Sequence, residues 1–484
     1  MQYFLHVQRK GNPHMNLENV SLAQICSKTS ELIYAGQYEA AKSELGGLWA
    51  GIGERPPLTF KPELNAEILL QCGTLSGWLG SAEQLDVQEK AKDLLTEALR
   101  IFQTFKLKAK ASEAQYELGM CYWRLGAYEE ARVVLTEALS GLEGVELKTK
   151  ILIRRTLVEI WVGNYYEALE TLREAQEFFD SCSDAVKGRW HGQMALILRR
   201  LGNQENRASY FDRAIVEYTA SVFYCERAGH ERYCATTLNN LAFLLYKMER
   251  YGEAHEHLDR CRKILERLND IGYLAQVEET RARILLAEEC YFEAIQVIIG
   301  VVNVFELGGE PALLADALTV KATIQARLKE YELSLDTFRR AIKTAENAGA
   351  FTNAGRAALS MLEEHWKRLP ERELYHLYDH ADRLLTLTQD AEDVSRLRAC
   401  ARFVTRKLFG PELDEHFTFY ETVLQYEARF IEEALREEGG SVTKAARRLG
   451  ITHQRLCAML KSRHKKLLSK RKSEAKRSII RKSK

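Results

Sequence analysis

One phrase recurs along most of this chain. It appears as YELGMCYWRLGAYEEARVVLTEAL from Tyr116, LNNLAFLLYKMERYGEAHEHLDRC from Leu238, ARILLAEECYFEAIQVIIGVV from Ala282 and LTVKATIQARLKEYELSLDTFRRAI from Leu318. Each copy reads as an amphipathic helix, a short turn ending in an aromatic, and a second amphipathic helix that opens near a small residue. The small residues fall at Ala41, Ala91, Ala131, Ala168, Ala214, Ala254, Ala294 and Ser334, and the last four stand 40 residues apart. The step from Ala168 to Ala214 is longer, and NQENRAS between them reads as a loop insertion.

The spacing has a mechanical cause. Two antiparallel helices approach closely only where one presents a small side chain to the other. Gly119, Ala242, Ala282 and Ala322 each precede the small residue of the second helix by twelve positions, so they are expected to face it across the turn. Tyr38, Tyr128, Tyr165, Tyr251, Tyr291 and Tyr331 would fill the wedge beside that turn. Seven prolines in 484 residues leave few helix breakers, against an average usage of about 5%. The expected fold class is all-α.

These positions resemble the tetratricopeptide (TPR) repeat over about residues 20–345, although Gln115 and Leu238 stand where the family's first helix carries tryptophan. The repeat here is longer than the ~34 residues usual for that family, as in the TPR-like superhelices of some large bacterial transcription activators. The resemblance implies an α-solenoid whose groove, lined by the first helices, binds a protein, a peptide or a small molecule. Arg124, Arg200, Lys247 and Arg327 recur near the end of the first helices. Family geometry aims that position at the groove, and Asn240 stands where a peptide-contacting amide is common. Past residue 345 the phrase decays. LPERELYHLYDHADRLLTL and DVSRLRACARFVTRKLF read as helices capping the stack.

The net charge of +1 conceals a division. Between Ser441 and Lys484 there are 16 Lys/Arg and one acid, Glu474, so that stretch carries +15 and the remainder −14. A basic end on an acidic body suggests a polyanionic partner for one end of the molecule. Ten cysteines show no CxxC pair or Cys/His ligand spacing and read as small core residues in a reducing, cytoplasmic setting. MQYFLHVQRKGNPH lacks the apolar run of a signal peptide, and no apolar stretch approaches the ~20 residues that span a bilayer. No metal, cofactor or membrane association is expected.

Near the end stands GGSVTKAARRLGITHQRLCAML, Gly439 to Leu460. Phe417, Tyr420, Leu424, Ile431 and Leu435 set out a helix with one apolar stripe, ended by Gly439-Gly440. Ser441 is placed to cap a second helix, whose inward residues are Val442, Ala445, Ala446 and Leu449. Gly450 supplies a turn, Ile451 plugs the small core, and Thr452 caps a third helix. Leu456, Met459 and Leu460 share one face of that helix. Gln454, Arg455, Ala458, Lys461 and Lys465 lie opposite, at 100° per residue. Such a helix fits the DNA major groove, with the Gln454 amide suited to adenine and Arg455 to guanine or phosphate. Thr452 and His453 lie at the helix N-terminus, where backbone N–H groups favour phosphate.

These residues resemble the Fis-type helix-turn-helix that closes many bacterial sigma-54-class activators. The match covers about residues 415–465, at Glu427, Ile431, Ala434, Leu435, Gly440, Ala445, Ala446, Leu449, Gly450, Ile451, Leu456 and Leu460. It implies a homodimer through the helix around Phe417–Leu435, with DNA-contacting positions at Thr452, His453, Gln454, Arg455, Ala458 and Lys461. Cys457 and Ala458 replace polar or cationic residues common in the family. Arg463, Lys465, Lys466 and the tail residues Lys470, Arg471 and Lys472 are expected to compensate along phosphates. His453 and His464 read as DNA-facing or solvated.

The chain has no G-x-x-x-x-G-K-[ST], no recognisable receiver domain, no nucleophile elbow and no HExxH. No catalytic residue is expected. The organisation expected is an extension over 1–17, repeats over 18–345, degenerate capping helices over 346–410, a Fis-type domain over 411–468 and a disordered basic tail over 469–484. The function expected is a sequence-specific, nucleoid-associated transcriptional regulator that binds double-stranded DNA. A TPR adaptor for protein assembly and an architectural DNA-binding protein stand as alternatives.

Overall fold

The computed structural model describes residues 21–80, 86–140, 142, 144–308, 310–386, 390–409 and 419–470. The expected N-terminal extension, Phe417 and the tail from Arg471 lie outside them. Every regular element among the described residues is helical. The chain divides into two compact units, Met1–Val404 and Thr405–Lys484.

The larger unit is a stack of antiparallel helical hairpins. The pairs run Ser21–Tyr34 with Tyr38–Leu45, Pro62–Leu79 with Val87–Thr104, Lys108–Arg124 with Tyr128–Leu139, and Val145–Val162 with Tyr165–Gln176. Asp184–Glu205 with Ala208–Arg227, Glu231–Lys247 with Tyr251–Arg267, Ile271–Ala287 with Tyr291–Leu307, and Pro311–Arg327 with Tyr331–Asn347 continue it. Phe351–His365 pairs in turn with Glu371–Leu384, and Ala391–Phe409 follows. The six tyrosines singled out in the sequence each begin a second helix.

Close approach at small residues builds each hairpin. Ala41, Ala91, Ala131, Ala168, Ala214, Ala254, Ala294 and Ser334 are all fully buried. A Cβ on Gly119 would come within 2.7 Å of the Leu135 side chain. Ser334 Oγ donates to the Ala322 carbonyl at 2.7 Å, twelve residues away, so a polar small residue is satisfied at the same contact. First helices also touch the first helices of neighbouring hairpins, as Lys108–Arg124 touches Val145–Val162 and Ile271–Ala287 touches Pro311–Arg327. The first helices therefore crowd together on one side of the stack, which becomes its concave face.

The turn inside a hairpin repeats as well. The backbone N–H of Ala127, Arg250, Cys290 and Glu330 each donates to a carbonyl five residues back at 2.9 Å. The turn needs one left-handed residue, which is glycine in three repeats (Gly36, Gly126, Gly163) but Glu249, Glu289 and Lys329 in others. NQENRAS is not a loop: the first helix runs through to Glu205, 22 residues in all, and Asn206 takes the left-handed position. The longer step from Ala168 to Ala214 thus goes into helix, together with a 3-10 turn at Phe179–Ser181. All cysteines except Cys290 and Cys457 are buried, and burial pushes the Cys121 thiol up to about 12. No helix among the described residues is long and apolar enough to cross a membrane.

Two substitutions test this packing. Ala294→Leu should overfill the hairpin contact and cost about 1–3 kcal/mol. Glu289→Gly should stabilise by about 1 kcal/mol or less, by relieving an exposed left-handed residue. Thermal melting of the full chain should move in opposite directions for the two.

Candidate nucleic-acid interface

The smaller unit is built on the helices Phe419–Glu437, Val442–Arg448 and His453–Lys461, followed by a 3-10 segment at Lys465–Lys470. Its core contains Ile431, Ala434, Leu435, Val442, Ala445, Ala446, Leu456, Leu460 and Leu467. Leu449, Ile451 and Met459 pack against it, partly buried. The chain reverses through Gly439 and Gly440, both at positive φ, and the Gly440 N–H donates to the Leu435 carbonyl at 2.7 Å. Gly450, φ +66°, makes the corresponding turn before the third helix, a conformation that would strain a residue with a Cβ.

The two expected caps differ. Thr452 Oγ1 accepts from the Arg455 N–H at 3.2 Å, satisfying one open donor of the third helix. Ser441 occupies the cap position of the second helix, but its hydroxyl makes no capping bond. The Gly-Gly reversal sets that entry instead.

The outward face of the third helix is solvent-exposed. Thr452, His453, Gln454, Arg455, Ala458 and Lys461 are all exposed, and so are Lys465 and Lys466 beyond it. Arg455, Lys461 and Lys465 pair with no carboxylate among the described residues. On the second helix Arg448 pairs with Glu437 at 2.5 Å and with Glu438 at 3.4 Å, while Lys444 and Arg447 are exposed with no carboxylate partner among the described residues. The open charge therefore spans the second helix, the third helix and the turn after it. Lys470 ends the 3-10 segment, while Arg471 and Lys472 lie outside the described residues.

One reading of a single residue is corrected. His464 is neither DNA-facing nor solvated, because it is buried with Nε2 3.0 Å from Glu427 Oε2. Arg463 is exposed, with its Nε 3.0 Å from the same carboxylate oxygen. Glu427 therefore ties the long helix to the end of the third. The only hint of this in the sequence is the family match at Glu427. Nothing flagged its partners, or Leu467, whose burial anchors the basic segment.

On the long helix, Ile431 and Leu435 turn into the core, while Tyr420 and Phe430 are 65% and 57% exposed and Val423 is exposed beside them. The apolar stripe serves the core only at its C-terminal end. Tyr420, on the same stripe, stands in solvent.

The concave-face candidates of the solenoid are held within the chain. Arg124 stacks over Trp78 at 4.4 Å and donates to the Gly77 carbonyl. Arg327 pairs with Glu364 at 2.7 Å. Arg200 lies 3.5 Å from Asp390, and Lys247 lies 2.8 Å from Glu392. Arg356 takes both Asp390 and Asp393, so an acidic segment of the chain's own sequence is gripped by three cations of the stack. Asn240 is half-buried on its helix. Long-range pairing of this kind has no local sequence signal.

Comparison with known families agrees with both halves. Residues 112–140 and 234–271 match tetratricopeptide repeat models, and residues 423–456 match the model of the bacterial regulatory protein, Fis family. The chain carries tetratricopeptide repeats and a Fis-type helix-turn-helix. No curated protein matches the chain. Among solved structures, a Rap protein complexed with competence and sporulation factor is 15% identical, with 72% of this chain and 100% of that one covered at a TM-score of 0.47. Aspartyl phosphate phosphatase F from Bacillus subtilis is 12% identical, covering 79% and 97% at 0.47. A signal transduction ATPase with numerous domains and a tetratricopeptide repeat sensor, from Pyrococcus horikoshii, is 13% identical, covering 81% and 68% at 0.46. Repeats joined to a Fis-type helix-turn-helix suggest a DNA-binding regulator with a protein-interaction domain.

Removing the carboxylate in Glu427→Ala should leave buried His464 without its acceptor and cost about 1–3 kcal/mol. Hydrogen exchange should quicken in Val442–Arg448 and His453–Lys461 while the solenoid helices keep their protection.

Proposed function

We propose that this chain is a non-catalytic transcriptional regulator whose C-terminal unit reads double-stranded DNA as a homodimer while the solenoid receives a signal. The observation that carries the reading is the third helix: an exposed amide, guanidinium and ammonium on one face, backed by Leu456 and Leu460 and opposed by no carboxylate among the described residues. A helix that docked an apolar partner groove would instead present a hydrophobic stripe there. In the DNA complex Gln454 and Arg455 contact base edges. Thr452 and His453 approach phosphate at the helix N-terminus, and Lys461, Lys465, Lys470, Arg471 and Lys472 neutralise the backbone.

The dimer uses the exposed face of the long helix. Val423 and Phe430 lie seven residues apart, two turns on one side, and Tyr420 stands beside them. Pairing those faces between two copies would remove three large apolar groups from water and set two third helices in successive major grooves. The regulator would act at the nucleoid.

Gel shifts with the full chain and with residues 1–410 test the assignment. The full chain should bind and the truncation should not. If about six phosphates are neutralised, log K should fall against log salt with a slope near −5. Arg455→Ala should relax preference at about one base pair, whereas Lys470→Ala should weaken all sequences alike. Equal losses on a selected site and on random DNA from both changes would favour architectural binding. Phe430→Glu should lower self-association in sedimentation and, with it, affinity for a two-half-site DNA.

A further inference from the structure

The concave face of the solenoid encloses a cavity of about 310 Å³ between the first helices of the first five hairpins. That volume falls at the small end of the ~300–1,000 Å³ typical of small-ligand sites. Leu70, Leu147 and Val186 give it apolar wall, and Tyr38 stacks on Trp78 at 5.2 Å along another side.

Its charges do not cancel in pairs. Three cations and three carboxylates line it: Lys150, Arg154 and Arg189 with Glu113, Glu117 and Glu146. Glu117 is taken by Arg154 at 3.3 Å, and Glu113 by Lys110 at 3.0 Å. Glu146 accepts from Ser183 at 2.7 Å and from the Tyr34 hydroxyl. Lys150 and Arg189 form no ion pair among the described residues. Lys150 Nζ sits 3.6 Å from the centre of the Tyr34 ring. The Arg189 guanidinium donates to Tyr116 Oη at 2.9 Å and lies 3.1 Å from His230 Nε2. Burial, then Arg189, holds the His230 imidazole down to about 3, so the ring is neutral. Burial, and Arg189 after it, pulls Lys150 down to about 8, outweighing the opposite pull of Glu146, Glu113 and Glu117.

A second irregularity lies in the same wall. Gln71 is 2% exposed, and its amide nitrogen donates to the Cys26 carbonyl at 2.6 Å and to Ser30 Oγ at 3.0 Å. The bond to the Cys26 carbonyl fixes which end of the amide is oxygen, and that oxygen, Oε1, has no partner among the described residues. A buried carbonyl without a donor is costly unless something else supplies one.

We propose that this cavity binds a free hydrophobic amino acid, with Lys150 and Arg189 holding the carboxylate and Gln71 Oε1 accepting from the amino group. The aromatic and aliphatic walls take the side chain. Equal numbers of lining cations and carboxylates suit a zwitterion better than a simple anion. The assignment rests on the reading of the solenoid as the signal-receiving part.

Calorimetry on the full chain with L-phenylalanine, L-leucine, L-phenylalaninamide, 3-phenylpropionate and N-acetyl-L-phenylalanine tests it. At least one of the two free amino acids should bind with a dissociation constant below about 1 mM. Loss of the carboxylate in the amide should cost about tenfold or more, and loss of the amino group in 3-phenylpropionate should also weaken binding. Lys150→Met should cost about tenfold or more for the amino acids with an unchanged melting temperature. Lys150→Glu should invert the preference toward the amide. Failure of both amino acids to bind, or equal binding of acid and amide, overturns the proposal. Tighter binding of the N-acetyl compound also overturns it, in favour of a peptide end. The sensor reading is tested apart by repeating the gel shift with bound ligand: binding without a change in DNA affinity upholds the cavity and removes the sensor role.

Discussion

The solenoid depends on one contact made over and over, the approach of two helices across a buried small side chain. Ala254, Ala294 and Ser334 occupy it at intervals of 40 residues, and each is completely enclosed. A larger residue would push the second helix outward and open the hairpin. Tight hairpins whose first helices also touch the next hairpin must curve, because the second helices are spaced further apart around the outside. Curvature gathers the polar and aromatic residues of many first helices on one concave wall. The cavity is therefore a consequence of alanines that do not themselves line it.

That wall also shows how such a protein accommodates buried charge. A guanidinium away from water is tolerated only when paired or hydrogen-bonded. Most of the concave cations meet the requirement with distant acids: Arg200 and Arg356 share Asp390, Lys247 takes Glu392, and Arg154 takes Glu117. The grip on residues 390–393 joins hairpins far apart in sequence, which a repeat array with only nearest-neighbour contacts would lack. In the early part, Lys150 and Arg189 lack any such ion pair among the described residues.

What was legible in the sequence follows from the range of each interaction. Hairpin contacts are local and periodic, so the small residues and the tyrosines marked the helices directly. NQENRAS misled because polar, glycine-poor segments are compatible with either a loop or an extended helix, and only packing decides. The recurring cations were visible as a pattern, but their partners sit as much as 190 residues away, Arg200 with Asp390 being the extreme. The cavity left no trace at all. Lys150, Arg189 and Gln71 come from different repeats and share no repeated position.

In the C-terminal unit the same logic separates residues by distance. The exposed third-helix face could be read from the 100° step because Leu456 and Leu460 alone fix its orientation. His464 could not, since its burial is decided by Glu427, 37 residues earlier. The consequence reaches the proposed interface. With Arg463 paired to one carboxylate, His464 buried against it and Leu467 buried after them, residues 462–470 are held to the unit. Lys461, Lys465 and Lys466 are thereby displayed around an anchored turn, so cations that a flexible tail would have to order on binding are already held beside the helix proposed to meet DNA.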